Sequence, residues 1–87
     1  MVKKEVTVTN RAGIHSRPAA MIVRLANRYK SHIFIAKEDE KINAKSIMGI
    51  ITLGVSCNTV ISIEAEGPDE EEVVDELVRL IENRFEE

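Results

Sequence analysis

Gly13-Ile14-His15-Ser16-Arg17-Pro18-Ala19-Ala20 marks the point where the chain changes its period. Before it, Val2, Val6 and Val8 alternate with Lys3, Glu5 and Thr7, the pattern of a strand with one buried face. After it, Ala19, Ile22, Ala26 and Tyr29 share one helical face, with Met21 and Leu25 at its side. That face has to pack on a sheet. Asn10-Arg11-Ala12-Gly13 joins the two as a loop of turn formers. Pro18 suits a first helical turn, where a missing N–H costs nothing and the fixed φ is already helical. It also steers Arg17 away from the αR region, so the helix begins at Ser16 or Arg17.

The same stretch carries chemistry. His15 stands just ahead of unpaired backbone N–H groups at the positive end of a helix, which is a ready anion site. Arg17 adds a guanidinium fork that fits phosphate oxygens. Gly13 lets the preceding backbone bend tightly. An imidazole with its ordinary pKa of about 6.5 is largely neutral, hence nucleophilic, near pH 7. Nucleophile, anion cradle and cation within Gly13–Arg17 point to a histidine that carries a phosphoryl group.

The rest of the chain supplies a scaffold. Ile33-Phe34-Ile35 reads as a second strand, Glu38-Asp39-Glu40-Lys41 as a charged hairpin turn, and the region around Ile42 as a short third strand. His32, with no carboxylate, Cys or second His near it in sequence, reads as a solvent-facing strand end. Ile47–Leu53 is a helix too short to stand alone, with Ser46 as N-cap and Gly54 as its stop. Its apolar residues are too many for one face, so some of Ile47, Met48 and Ile51 are expected to be exposed, as on a contact surface. Completion of the core is the competing reading. Val60–Glu66 gives a fourth strand with Ile61, Ile63 and Ala65 inward. Gly67-Pro68 breaks the chain. Asp69 is expected to cap a long helix running through Phe85, with Val74, Leu77, Val78, Ile81 and Phe85 on its apolar side. The order β-α-β-β-α-β-α predicts an α/β open-faced sandwich: a four-stranded antiparallel sheet with the helices on one face.

Composition narrows the function classes. The 87 residues predict one domain, 1–87, and only three of them are aromatic, so Ile, Val, Leu and Ala must build the core. No apolar run approaches the ~20 residues that cross a membrane, and the first residues lack an apolar signal core, so membrane insertion and export are not expected. The single Cys57 has no partner for an internal disulfide and fits a reducing cytoplasm. Residues 1–63 hold ten Lys/Arg and four Asp/Glu, net +6; residues 64–87 hold two Arg and eleven acids, net −9. A basic face of this kind attracts acidic partners. Direct nucleic-acid binding is not expected, since there is no basic run and little to stack on bases. A lone His without companion ligands is poor metal spacing, and no acid–base pair is evident, so neither a metal nor a cofactor is expected.

Gly13-Ile14-His15-Ser16-Arg17-Pro18-Ala19 resembles the active-site motif of the HPr family. These are the histidine-containing phosphocarriers of the bacterial phosphoenolpyruvate-dependent sugar phosphotransferase system. Lys45-Ser46-Ile47-Met48-Gly49-Ile50 is similar to the regulatory serine site of its Gram-positive-type members. The two motifs stand at the family's separation, and the likeness extends over the whole chain. Ser16 departs from the usual Ala or Thr, but Ser is small and caps helices. The resemblance implies the HPr-like sandwich and a role as a phosphoryl-transfer intermediate rather than a stand-alone catalyst. His15 would accept the group, on Nδ1 as family members do, with Ser16 supplying a helix amide, Arg17 a positive charge and Pro18 the helix start. It implies enzyme I as donor, enzyme II A components as acceptors, and regulatory phosphorylation at Ser46 by an ATP-dependent HPr kinase/phosphorylase. The Ser46-phosphorylated form would act with a catabolite-control transcription factor. It further implies partner contacts at Ala20, Arg24, Ile47, Met48 and Ile51, a monomer, and a place in the cytoplasm. Read from residues alone, Ala20 and Arg24 fit an exposed flank as well as a rim around His15. A regulatory paralogue, nitrogen-type or catabolite-control, not coupled to sugar transport, is the alternative.

Overall fold

The computed structural model describes residues 1–86. Its elements are β1 (Val2–Val8), α1 (Ser16–Ala26), β2 (His32–Lys37), β3 (Glu40–Asn43), α2 (Ile47–Leu53), β4 (Thr59–Glu66) and α3 (Glu70–Glu82). The strands form one antiparallel sheet in the order β1-β4-β2-β3. Register follows the alternation in the sequence. Val6 lies opposite Ile61, and Ile35 opposite both Ile63 and Ile42. Ile33, Ile35, Ile61, Ile63 and Ala65 face the helices and are buried. The opposite face carries Lys3, Glu5, Thr7, Ser62 and Glu64, so one side of the sheet stays bare.

The helices close the other side with the expected stripes. Ala19, Ile22 and Ala26 of α1 are fully buried, as are Val73, Val74, Leu77 and Ile81 of α3. Val78 packs against this core only in part. On β1, at the edge of the sheet, Lys4 Nζ donates to Asp75 of α3.

Three boundaries differ from the sequence reading, each for a physical reason. First, α1 stops at Ala26 rather than continuing to Tyr29. Asn27 closes it, and the Arg28 and Tyr29 N–H groups donate to Leu25 and Ala26 at 3.1 and 3.2 Å, a tightened last turn. Tyr29 still covers the core, half-buried. Second, α3 does not run to Phe85. It ends at Glu82, and Arg84, Phe85 and Glu86 take φ of 53°, 55° and 64°. That left-handed turn swings the fully buried Phe85 back into the core, where helical spacing alone had placed it. Third, the Asp69 side chain does not cap α3. Its carboxylate instead accepts from the backbone N–H groups of Lys30 and Ser31, at 2.9 and 3.0 Å, and from Ser31 Oγ. Glu70 serves the helix start, accepting from Gly67 N–H at 3.1 Å.

The Asp69 tie joins the α1–β2 turn to α3 and makes stability depend on acid. The Ser31 hydroxyl, and next the Lys30 N–H, hold the Asp69 carboxyl below its ordinary value. The native state therefore takes up this proton less readily than the unfolded chain. Its contribution is complete above the ordinary carboxylate range and is lost as pH falls through the lower native value. Asp69→Asn is expected to melt below the parent at pH 7, with the gap closing as pH falls through and below the ordinary carboxylate range. Thermal melts across that range check this. A gap that ignores pH would remove the carboxylate from the account.

Candidate functional site

The site begins with a turn whose two ends, Asn10 and Gly13, are buried. Asn10, only 1% exposed, accepts through its backbone carbonyl from Gly13 N–H at 3.0 Å and donates from Nδ2 to Gly13 O at 2.6 Å. Gly13 has φ +68°, and a Cβ there would collide with Val55 O and lie 2.8 Å from Ser56 Cα. Ile14, buried, then donates its N–H to Val55 O at 2.9 Å. The turn is thus clamped to the segment that follows α2, and His15 leaves it in one direction.

His15 itself is the N-cap of α1, extended at φ −100° and ψ −161°, so the helix begins at Ser16, the first of the two starts that Pro18 allowed. Its imidazole is exposed and makes no capping hydrogen bond, so both ring nitrogens are free of the helix. The first intrahelical bond runs from Ala19 N–H to His15 O at 2.9 Å. Of the amides ahead of it, Pro18 has no hydrogen. Those of Ser16 and Arg17 have no acceptor among the described residues. Two N–H groups are therefore left over beside the imidazole. Arg17 is exposed and forms no ion pair among the described residues. His15, the Ser16 and Arg17 N–H groups and the exposed Arg17 side chain thus all belong to the start of α1. No group of three or more metal-ligating side chains occurs among the described residues.

The second motif lies on α2. Ser46 is its N-cap, and Oγ accepts from Gly49 N–H at 3.0 Å. Gly49 also admits β3, since a Cβ there would press on Ile42 at 3.3 Å. Ile50 and Leu53 face the core, whereas Ile47, Met48 and Ile51 are 41%, 69% and 41% exposed. This decides the question the sequence left open: all three belong to an apolar surface, not to the core. Beside it, Ala20 is half-buried and Arg24 exposed on α1, which packs against α2. Ser46 starts α2 and the turn that precedes His15 is bonded to Val55 beyond its other end, so roughly 10 Å of helix separates the Ser46 cap from that turn.

A family model described as the PTS HPr component phosphorylation site matches residues 2–83. The chain belongs to the HPr family. The phosphocarrier protein HPr of Treponema pallidum is 45% identical over 87 residues, covering 100% of this chain and 99% of that protein. A crystal structure of HPr from Thermoanaerobacter tengcongensis superposes with a TM-score of 0.97 at 47% identity, covering 100% of this chain and 98% of the other. An HPr dimer from the same bacterium superposes with a TM-score of 0.80 at 47% identity, over 100% of both chains. Relatives named as HPr phosphocarriers predominate over the HPr-like Crh kind. The β-α-β-β-α-β-α sandwich is the HPr fold, and membership places the chain among phosphotransferase-system components. No helix among the described residues is long and apolar enough to cross a membrane.

Three contributors to the HPr site were not read from the sequence. Asn10 had a local signal, an Asn three residues before a Gly, but its burial depends on tertiary packing. Val55, whose carbonyl accepts Ile14 N–H at the histidine turn, had none, and neither had Lys37, whose Nζ donates to Leu53 O and Gly54 O at the end of α2.

Proposed function

We propose that this chain, acting as a single domain, is a phosphocarrier whose His15 accepts a phosphoryl group from phosphorylated enzyme I and passes it to enzyme II A components for sugar uptake. The observation that carries this reading is the exposed, uncommitted imidazole of His15 beside the two spare amides of Ser16 and Arg17. A neutral ring nitrogen, Nδ1 by family likeness, attacks phosphorus. A P–N bond forms as the donor's bond to phosphorus breaks and its electron pair returns to the donor. The phosphoryl group brings roughly two negative charges. The two amides and Arg17 then face them, each worth about 0.3–1 kcal/mol at a surface. That modest sum suits a carrier, because tight holding would lower the starting state and stop onward transfer. Histidine, amides and Arg17 all come from one chain, so a monomer suffices. The unpaired Cys57 fits a cytoplasmic setting. Incubation with enzyme I and phosphoenolpyruvate, followed by mass spectrometry, tests the reading. One phosphoryl group, acid-labile and mapping to His15, supports it; acid-stable or absent modification overturns it.

The half-buried Ala20 and the exposed Arg24, Ile47, Met48 and Ile51 supply the docking surface in this reading, and Ser46 regulates it. A phosphate at the Ser46 N-cap meets the positive end of α2 and leaves the fold intact. Across 10 Å of water a charge pair is worth about 0.4 kcal/mol, less once salt screens it, so Ser46 does not act on His15 directly. It acts by placing charge beside Ile47 and Met48, against an acidic partner. The kinase/phosphorylase and the catabolite-control transcription factor are the partners of that state. Ser46→Asp is expected to slow transfer from enzyme I about tenfold, equivalent to about 1.4 kcal/mol of lost docking. Ser46→Ala is expected to cost about 1 kcal/mol of stability through the lost cap while transfer continues. Unchanged transfer by Ser46→Asp, measured against enzyme I concentration, would dismiss the switch.

A further inference from the structure

We infer that Lys37 is a positioning residue that couples α2 to the phosphorylation turn; this rests on the phosphocarrier reading above. Helix α2 has no basic residue in its last turn, so it brings no cation of its own to its negative end. Lys37, at the end of β2, supplies one. Its Nζ donates to Gly54 O at 2.8 Å and to Leu53 O at 3.3 Å, the carbonyls that a helix leaves unpaired. Gly54 is the left-handed C-cap, at φ 69° and ψ 57°, and donates its N–H to Ile51 O at 3.2 Å.

The next carbonyl in the chain, that of Val55, accepts Ile14 N–H at 2.9 Å and forms the wall against which Gly13 packs. Lys37, Gly54, Val55, Ile14 and His15 are thus linked by two hydrogen bonds and two peptide bonds. The lysine fixes where α2 ends, that end fixes the Val55 carbonyl, and the carbonyl fixes the residue before the histidine. Lys37 touches no reacting atom. It makes the exposed side of α2 and the His15 imidazole parts of one body, so a load on α2 reaches the turn through the backbone, by a route separate from charge repulsion.

Hydrogen exchange of individual amides, together with steady-state phosphorylation by enzyme I, tests this. Lys37→Met keeps the chain length and removes charge and donors. Lys37→Arg restores both. In Lys37→Met the Ile14 amide is expected to exchange about tenfold faster while Ile63, in the sheet centre, is unchanged; kcat falls about threefold and KM moves less than twofold. In Lys37→Arg all of these return to parental values. Parental exchange at Ile14 in Lys37→Met, acceleration of Ile14 and Ile63 together, failure of Lys37→Arg to restore Ile14, or an unchanged kcat would overturn the inference. If the parent itself takes no phosphoryl group, the phosphocarrier reading fails instead, and the exchange data still judge the tie.

Discussion

His15→Ala is expected to take up no phosphoryl group at all from enzyme I and phosphoenolpyruvate, while its melting temperature stays within about 4 °C of the parent. The loss is total because the bond to phosphorus is made to the imidazole itself; the surrounding amides can steady a charge but cannot accept the group. The fold is spared because the ring is exposed and forms no capping hydrogen bond. Surface changes of that kind stay within about 0.5 kcal/mol, and a domain of this size shifts about 4–8 °C per kcal/mol. Arg17→Gln provides the contrast. One exposed charge near a helix end is worth about 0.3–1 kcal/mol, so transfer is expected to slow only about two- to fivefold. Radiolabelled phosphoenolpyruvate with catalytic enzyme I reads both variants. Label retained by His15→Ala would end the proposal that this residue is the carrier.

Gly13→Ala is the second large effect, and it strikes stability and transfer together. At φ +68° a side chain pays about 1–2 kcal/mol for the left-handed backbone. The added methyl also has nowhere to go, because the atoms it meets are the Val55 carbonyl and the Ser56 backbone, not the movable tip of a side chain. Relief requires the turn to lift from the α2–β4 connection, which breaks the Ile14–Val55 hydrogen bond and exposes Asn10. Together these are expected to cost at least about 3 kcal/mol, a large share of the roughly 5–15 kcal/mol that holds a domain together. Chemical denaturation measures the loss. Transfer is expected to fall at least tenfold even where the variant is fully folded, since His15 no longer leaves the turn in one direction. A stable Gly13→Ala with parental transfer would show that the close approach is not needed.

The strand and helix order was legible because period alone distinguishes them. Val6 and Val8, then Ile33 and Ile35, then Ile61, Ile63 and Ala65 alternate cleanly, and all are buried. The helix ends were less so. Tyr29 and Phe85 both continue a helical stripe in the sequence, and both do cover the core, but each arrives there from a turn. Spacing reports which side a residue faces, not whether the backbone between is still helical. Asp69 was misread for a related reason. An acidic residue before a helix fits a cap, yet the stronger claim on this carboxylate comes from Ser31, 38 positions away. At the site, His15, Arg17 and Ser46 announce themselves because their chemistry is local. Asn10, Val55 and Lys37 do not, since their part is played through contacts that exist only after folding.

The arrangement of the exposed edge has a kinetic corollary. His15 and the two spare amides follow a turn that is bonded to the segment just after α2, the helix that carries the exposed Ile47, Met48 and Ile51. One imidazole in such a setting can be covered by one protein at a time. Donor and acceptor must therefore exclude each other, and no ternary assembly can hand the group across. Double-reciprocal plots for the overall relay should run parallel, and a surplus of either partner should choke it.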